Sequence, residues 1–557
     1  MTDRLVLIDF PSIKSFVFGT SPASEIRGGS AILDQLNRET LERSLKQAFP
    51  EPRHRLIYAG GGSALFCVKD CLDEKEILDF LESYQHRVSS KSGGGLSIEY
   101  ALCEQRGDFK KEVSSLHSRL AKRRYSQKAQ AYPRSHVGMW RACASCAQNP
   151  AEYSTKDTDK KICRVCNEKR QNRGSGPAWN ELLGYYGQKD AKRNLWRPES
   201  FNDIGAASIT RKDYIALLYA DGDAMGRIVK EIPNEETYRI FSKTVDGALR
   251  QATYETLKQL LPAPYLRKKR QILPADILLL GGDDLVMVLR VDLALRFAIQ
   301  AAQRFQELTQ KEFKDKDFFN THCGNGLTIS FGIAIARSTQ PFRVVLEQAE
   351  ELLKSAKRRK SEVEAQHKHT PSGPPPKGAP SEKLSRKEPS PKNEPFIDLA
   401  DVSQTHYVNL ADIREEDLRL ENGASLTEWP RSCSEAAQFQ KQCDRLIEAD
   451  LRKGRVNQLA DLLFQEGSRT EFETYRLLTR LHADQRNALL EFFERLGMDA
   501  PPWRCAKANA GQSTSVLDFA TLYPYIVEPL AQIEANKPTN RLKANESSSR
   551  PQPAEKE

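Results

Sequence analysis

The segment Asp276-Ile277-Leu278-Leu279-Leu280-Gly281-Gly282-Asp283-Asp284-Leu285-Val286-Met287-Val288-Leu289-Arg290 decides the fold. Two apolar runs of strand length enclose a tip of residues that turn a chain, which predicts a β-hairpin with arms Asp276 to Leu280 and Leu285 to Arg290. Working outward, Tyr214 to Ala220 reads as a strand and about Glu235 to Leu261 as a helix. Beyond the hairpin, Val291 to Phe313 is helical, Gly326 to Ala336 is a strand rich in β-branched residues, and Pro341 to about Lys360 is a last helix. The order β-α-β-β-α-β is the ferredoxin-like arrangement.

The same order occurs near the N-terminus. Arg4 to Asp9 is a short apolar strand, and about Gly28 to Gln47 is helical. Arg55 to Ala59 and Ala64 to Lys69 are hairpin arms around Gly60-Gly61-Gly62-Ser63. A helix over about Asp73 to Gln85 leads to the strand Leu96 to Cys103. The two tips align, with Gly62 and Ser63 standing where the later copy has Asp283 and Asp284. An α+β chain with an internal repeat is therefore expected.

Between the copies lie a basic helix (about Phe109 to Ala129) and a cysteine-rich insert. From about Ser361 to Pro395 the chain is rich in Pro, Ser, Lys and Glu and cannot bury a core, so it reads as a flexible linker. Beyond Leu426 the periodicity is helical. The expected division is a first ferredoxin-like domain at 1–135, an insert and connection at 136–200, and a second ferredoxin-like domain at 201–360. A linker at 361–395, an extended connection at 396–424, a C-terminal α-helical domain at 425–536 and a disordered tail at 537–557 follow.

A net charge of +9 over 557 residues is mild: it permits contact with nucleic acid, or with subunits that hold it, without demanding either. No run approaches the roughly 18 apolar residues of a membrane helix, and Met1 to Phe10 lacks the pattern of a secretory signal. The eleven cysteines are odd in number. Four sit in CxxC pairs and others, such as Cys67 and Cys103, sit in apolar runs, which fits a reducing cytoplasm better than a disulfide framework.

Nucleotidyl transfer needs charge stabilised on both the attacking and the leaving oxygen, and two hard divalent ions such as Mg²⁺ or Mn²⁺ held by carboxylates can do this. Asp283 and Asp284 at the tip, and Asp221 at the end of the strand Tyr214 to Ala220, are the candidate ligands and catalytic residues. Gly281 and Gly282 allow a sharp turn with room for a base or phosphate. The run Asp221-Gly222-Asp223-Ala224-Met225-Gly226 opens a helix whose free N–H groups can face a triphosphate. Lys357 (Lys354 beside it) lies on the last helix, where it reaches a phosphate or forms part of a solvated basic face. In the first copy, Gly61, Gly62 and Ser63 either cradle a second nucleotide or belong to a purely structural pseudo-repeat. A hairpin turn with no chemistry is the plain alternative for the tip; the flanking strands and the upstream acid favour catalysis.

Cys143-x₂-Cys146 and Cys163-x₂-Cys166 have zinc-ribbon spacing. Four thiolates leave no open ligand position, so a structural Zn²⁺ is expected. The sequence has no His-Asp dipeptide and no GxxxxGK[ST] loop, so neither a His-Asp phosphohydrolase nor a P-loop ATPase is supported.

Several of these motifs together resemble a known family. Ile8-Asp9-Phe10-Pro11-Ser12-Ile13-Lys14, Glu25-Ile26-Arg27-Gly28-Gly29-Ser30 and Tyr58-Ala59-Gly60-Gly61-Gly62 look like the first Palm domain of the large polymerase-cyclase subunit of type III CRISPR effector complexes. Tyr219-Ala220-Asp221-Gly222-Asp223-Ala224-Met225-Gly226 and Gly281-Gly282-Asp283-Asp284 look like its second, active Palm domain. The four-cysteine insert and helical C-terminal domain also fit.

The resemblance implies conversion of ATP into cyclic oligoadenylates, 3′–5′ linked, inside a complex of other subunits with guide RNA and target RNA. Asp221 and Asp283 would be metal ligands. Asp284 would complete the acidic pair and help deprotonate the attacking hydroxyl, and the Gly222 to Gly226 loop would hold triphosphate. Many members begin with a His-Asp nuclease domain; here Met1 leads into the first Palm strand, so DNA cleavage by this chain is not expected. The alternatives are a non-catalytic scaffold subunit and a diguanylate cyclase. Leu285, the double Palm and the zinc insert count against the latter.

Overall fold

Strand β1 (Thr2–Asp9) buries Leu5 to Ile8 almost completely, and this follows from its place in the sheet. It lies between β3 (Ser63–Cys71) and β4 (Glu99–Glu104), with β2 (His54–Gly60) outside β3, in the order β2-β3-β1-β4. A strand covered on both faces is apolar throughout rather than alternating. The helices of this copy are α1 (Ile13–Phe18), α2 (Ala23–Gln35), α3 (Leu41–Ala48), α4 (Glu74–Lys91) and α5 (Phe109–Lys128). A π-helical turn, Leu36–Thr40, joins α2 to α3. These features come from a computed structural model that describes residues 2–71, 73–128, 141–155, 160–174, 176–186, 195–267, 270–369, 393–403, 409, 412–465, 468–505 and 512–526.

The insert contains a two-stranded ribbon, β5 (Tyr153–Ser154) and β6 (Lys161–Ile162), then α6 (Arg164–Gln171) and α7 (Pro177–Tyr185). Strand β7 (Leu195–Trp196) and helix α8 (Phe201–Ala206) lead into the second copy. There β8 (Tyr214–Gly222) is followed by α9 (Met225–Glu231) and α10 (Glu235–Leu260). Short strands β9 (Tyr265–Arg267) and β10 (Arg270–Ile272) form a small sheet with β7. The hairpin is β11 (Ala275–Gly281) and β12 (Asp284–Arg290). Helices α11 (Ala294–Phe313) and α12 (Asp317–Cys323), strand β13 (Ile329–Arg337) and helix α13 (Phe342–His369) complete the copy.

The second sheet runs β11-β12-β8-β13 and repeats the order of the first. Even the irregularities match. A β-bulge interrupts the pairing between Leu56 and Tyr58 in β2 and between Ile277 and Leu279 in β11, at the same distance from each tip. Both copies contribute to one apolar cluster that includes Val6, Ile8, Phe66, Leu217, Tyr219 and Val286.

The division between copies and connections differs from the sequence expectation in two places. Helix α13 continues past Lys360 to His369. Residues 396–424, expected as an extended connection, begin with β14 (Phe396–Asp401), which pairs parallel to β13 and is itself joined by β15 (Arg431–Ser432). Phe396, Ile397 and Leu399 are buried there, so their apolar side chains gain more from the sheet than an exposed connection would allow. Most of the expected linker and all of the expected tail at 537–557 lie outside the described residues.

The chain forms two compact units, Met1–Ile413 with Trp429–Ala436, and Arg414–Glu428 with Ala437–Glu557. The second unit is mainly helical: most of α14 (Cys433–Glu448), then α15 (Lys453–Leu462), α16 (Ser468–Thr479), α17 (Ala483–Arg495) and α18 (Val516–Leu522). Phe439, Phe492 and Phe519 pack together in its core. No helix among the described residues is long and apolar enough to cross a membrane.

Candidate active site

Antiparallel pairing of β12 with β8 puts Asp284 directly opposite Asp221, where side chains of facing residues touch. Asp283 precedes Asp284 in the turn, and Gly282 takes φ 63°, the left-handed conformation that glycine adopts without cost. Glycine at 222 has a different reason. A Cβ there would sit 2.9 Å from the Asp283 Cβ and 2.5 Å from the Met225 Cε, so a side chain would push Asp283 away from Asp221.

The carboxyls repel one another. Burial, then the Asp221 charge, raises the Asp283 carboxyl to about 6. Burial, Asp221 and Asp283 push Asp284, held against the Asp221 carboxyl, well above the usual range. Lys357 Nζ bonds the Asp221 carboxylate and donates to the Gly222 carbonyl at 2.8 Å. The ammonium thus occupies part of the space beside Asp221 that a divalent ion would contest. Among the described residues, the four cysteines are the group of three or more ligand-type side chains whose donor atoms all lie within 4.8 Å; the aspartates are not drawn so tightly. Their donor set, carboxylate oxygens in excess of positive charge, is nonetheless the one Mg²⁺ or Mn²⁺ prefers.

The remaining candidates fall into different settings. The Asp223 carboxylate turns away from the tip, pairs with Lys360 Nζ at 2.9 Å and accepts from Ser330 Oγ at 2.8 Å. This buried brace holds the loop from below. Ala224 has φ 59° and precedes α9, a helix of seven residues. Met225 folds over Gly222, and Gly226 has open space on its Cβ side. Lys354 pairs with Glu351 at 2.8 Å and Glu350 at 3.6 Å, not with the aspartates.

The first tip lies against the second: a Cβ on Gly282 would stand 3.5 Å from the Gly61 Cα. Gly62 faces Ile13, whose Cδ1 lies 1.9 Å from where a Cβ would be. Ser63 pairs with Asp9 in the register that joins Asp284 to Asp221. Asp9 is tied to Arg124, which also holds Glu99 at 2.8 Å.

Sequence reasoning missed several residues around the tip. Asp246 on α10 accepts from the Gly282 N–H at 3.0 Å and pairs with Arg38 at 2.7 Å and Arg250 at 3.1 Å. Lys14 Nζ sits 5.0 Å from the Tyr219 ring centre and bonds Glu350 at 3.0 Å. Asp276, fully buried at the start of β11, takes Arg27 at 2.7 Å and Arg197 at 2.7 Å. A buried acid beginning an apolar strand is the one signal of this kind visible in the sequence.

The ribbon sulfurs suit zinc. The Cys146 and Cys163 sulfurs are 3.8 Å apart, the edge expected for a tetrahedron with Zn–S bonds of about 2.3 Å. Backbone N–H groups of Ser145 and Cys166 point at the Cys143 and Cys163 sulfurs, at 3.4 and 3.5 Å. Helix α6 packs on α2, where a Cβ at Gly28 would collide with the Lys169 carbonyl at 1.7 Å. Glu25 fixes the same joint through Arg170 at 2.5 Å. These residues explain the Glu25-to-Ser30 motif: Glu25 and Gly28 seat the ribbon, and Arg27 reaches the strand that leads to the acidic tip.

Comparisons with known proteins bear on the fold of this segment. Residues 214–364 match the family model described as Cas10/Cmr2, second palm domain. The CRISPR system Cmr subunit Cmr2 of Pyrococcus furiosus is 32% identical over 151 residues, covering 25% of this chain and 16% of that protein. A crystal structure of a Csm1–Csm4 cassette in complex with pppApApA shares the fold with a TM-score of 0.53 at 12% identity, over 89% of this chain and 69% of that one. A crystal structure of Csm1 in T. onnurineus matches at a TM-score of 0.41 and 14% identity, over 64% of this chain and 52% of that one. The matched region thus spans less than a fifth of the curated relative's length. The segment carrying Asp221, Asp283 and Asp284 is similar to the second palm domain of the Cas10/Cmr2 family.

Proposed function

We propose that this chain is the large subunit of a type III CRISPR effector complex and joins ATP into cyclic oligoadenylates when target RNA pairs with the guide RNA. The observation that carries the reading is the pairing of Asp221 with Asp284, beside Asp283, in a partly buried cluster of three carboxyls where Lys357 bonds Asp221. Such a group costs stability unless a cation joins it, and a raised carboxyl pKa is one sign of a site built for chemistry. The structurally similar Csm1–Csm4 cassette, crystallised in complex with pppApApA, is in keeping with adenosine nucleotides as substrate.

Asp221, Asp283 and Asp284 would hold Mg²⁺ or Mn²⁺, which supplies charge stabilisation on the attacking and leaving oxygens. Asp284 accepts the proton of the 3′-hydroxyl as its oxygen bonds the α-phosphorus; the bond to pyrophosphate breaks and pyrophosphate leaves. Gly222 keeps Asp283 close to Asp221, and Asp223 with Lys360 braces the loop. Lys357, beside Asp221, would be a point charge for the triphosphate. Cys143, Cys146, Cys163 and Cys166 would hold a structural Zn²⁺ that keeps the ribbon seated on α2. On this reading the chain would act in the cytoplasm, away from a membrane.

The test is product analysis by mass spectrometry after incubating the assembled complex with ATP and target RNA. Asp283→Ala/Asp284→Ala should abolish oligoadenylate while the complex still assembles. Unchanged yield refutes the site. Product from GTP alone would favour the diguanylate cyclase reading, and no product from either nucleotide would favour the scaffold.

A further inference from the structure

The two glycine-rich tips are held by neighbouring residues of one turn. Asn37 is 2% exposed. With its amide oriented to satisfy every partner, its oxygen accepts from the N–H groups of Gly60 at 3.2 Å and Gly62 at 3.1 Å, and its nitrogen donates to the Ser63 carbonyl at 3.2 Å. The next residue, Arg38, reaches the other copy: it bonds Asp246 at 2.7 Å, and the same Asp246 oxygen takes the Gly282 N–H at 3.0 Å. Arg250 completes the frame. It bonds Asp246 at 3.1 Å and donates to the Leu280 carbonyl at 3.2 Å. The backbone on both sides of Gly281 is therefore gripped along the outer edge of β11, where the sheet supplies no further strand.

We propose that the π-helical turn Leu36–Thr40 is a positioning device that sets the two tips against each other, with Arg38 and Asp246 orienting Asp283 and Asp284 through Gly282. The proposal rests on the active-site reading above. Ordinary helical geometry would continue α2 straight into α3, and a π turn, which shifts the helical register, is a recurrent feature of functional sites. Here the shift aims Asn37 at one tip and Arg38 toward the other. Burial would push the Asp246 carboxyl up, but Arg250 and Arg38 hold it below the usual range, so it stays ionised and makes a charge-assisted bond to the Gly282 N–H. Losing that charge frees the turn that carries two metal ligands, and misplacement by about 1 Å can cost on the order of 100-fold in rate. These are positioning residues: neither Arg38 nor Asp246 needs to touch nucleotide.

The test uses the full chain in its complex, with three readouts. Asp246→Asn keeps the shape and removes the charge. The expected results are faster amide exchange over Gly281–Asp284, Mn²⁺ binding (by electron paramagnetic resonance) weakened about tenfold, and a kcat for oligoadenylate down tenfold or more with KM for ATP within about threefold. Arg38→Lys should recover part of each effect and Arg38→Gln none. Asn37→Ala should speed exchange at Gly60–Ser63. A lower Tm with exchange at Gly281–Asp284, Mn²⁺ affinity and kcat unchanged would overturn the proposal. Should Asp246→Asn fail to fold, the Arg38 pair, on a side chain one-third exposed, decides the matter by the same criteria. If the wild-type complex makes no oligoadenylate, the functional reading fails, while exchange and Mn²⁺ binding still judge the positioning claim.

Discussion

The two palm copies solve one geometric problem in opposite ways. In the first, Asp9 at the strand end lies between Ser63 and Glu99, and Arg124 bonds both carboxylates. In the second, Asp221 lies between Asp284 and Ser330, with Asp283 nearby and Lys357 as the cation. Two acids against a two-pronged guanidinium form a closed arrangement, because the fork satisfies both at once. Three acids with only Lys357, a point charge on a flexible stem, bonded to them among the described residues leave negative charge unspent. The same backbone frame, bulge included, carries a closed ion-pair cluster in one copy and an acid-rich cluster in the other through a handful of side chains.

The largest test of this contrast converts the second tip into the first. Asp283→Gly/Asp284→Ser should reduce oligoadenylate formation by about 10³-fold or more, some 4 kcal/mol of transition-state stabilisation, measured as product per complex under saturating ATP. Loss of less than tenfold would show that the tip acids do not distinguish the copies.

The reverse conversion should fail. Gly62→Asp forces a side chain into Ile13 at φ 83°, and overpacking with backbone strain should cost about 2–4 kcal/mol. Denaturant unfolding would read this, together with no gain in Mn²⁺ binding. A stable variant that gained a metal would mean the first copy is an active site lacking only its ligands.

A smaller effect carries a definite sign. Asp283 is raised to about 6 in the folded chain, against roughly 3.9 for an unfolded aspartate. Between those values the folded state holds a proton that the unfolded state has released, so stability falls as pH rises through that window and the full cost applies above it. In metal-free protein Asp283→Asn should therefore raise stability by about 1–3 kcal/mol at pH 7.5 and by little below pH 4. Thermal unfolding at several pH values, with chelator, gives the answer; a stabilisation that persists unchanged at low pH would count against repulsion as its cause.

The smallest effect is expected at Asp9. Its pair with Arg124 is partly exposed, and such pairs are worth about 0–1 kcal/mol. Burial, which raises the Asp9 carboxyl, opposes the attraction of Arg124, so Asp9→Asn should change stability by no more than that range and leave oligoadenylate yield within about twofold. A large loss of product would place Asp9 in the chemistry and dissolve the contrast.

Much of this was legible early because it is local. The hairpins announce themselves through apolar runs around glycine-rich tips, and the cysteine quartet through spacing that closes a tetrahedron over a short loop. Strand β14 was harder: Phe396-Ile397-Asp398-Leu399-Ala400 has an apolar pattern, but it follows a segment rich in proline and lysine and pairs with β13 from across a gap of about sixty residues. Asp223 misled for another reason. Sequence places it in the loop beside Asp221, but only the fold decides that its carboxylate points at Lys360.

By itself, then, the sequence determined the repeated β-α-β-β-α-β order, the acidic tip and its strand-end partner, and the cysteine quartet with metal-ligand spacing, since periodicity, turn chemistry and ligand spacing are written in neighbouring residues. Tertiary structure alone decided that the two tips meet, that Arg124 closes one copy while Lys357 leaves the other open, and that Arg38 reaches Asp246 across 208 positions. Polar partners of that separation leave no periodic trace, because what brings them together is burial of the apolar faces between them.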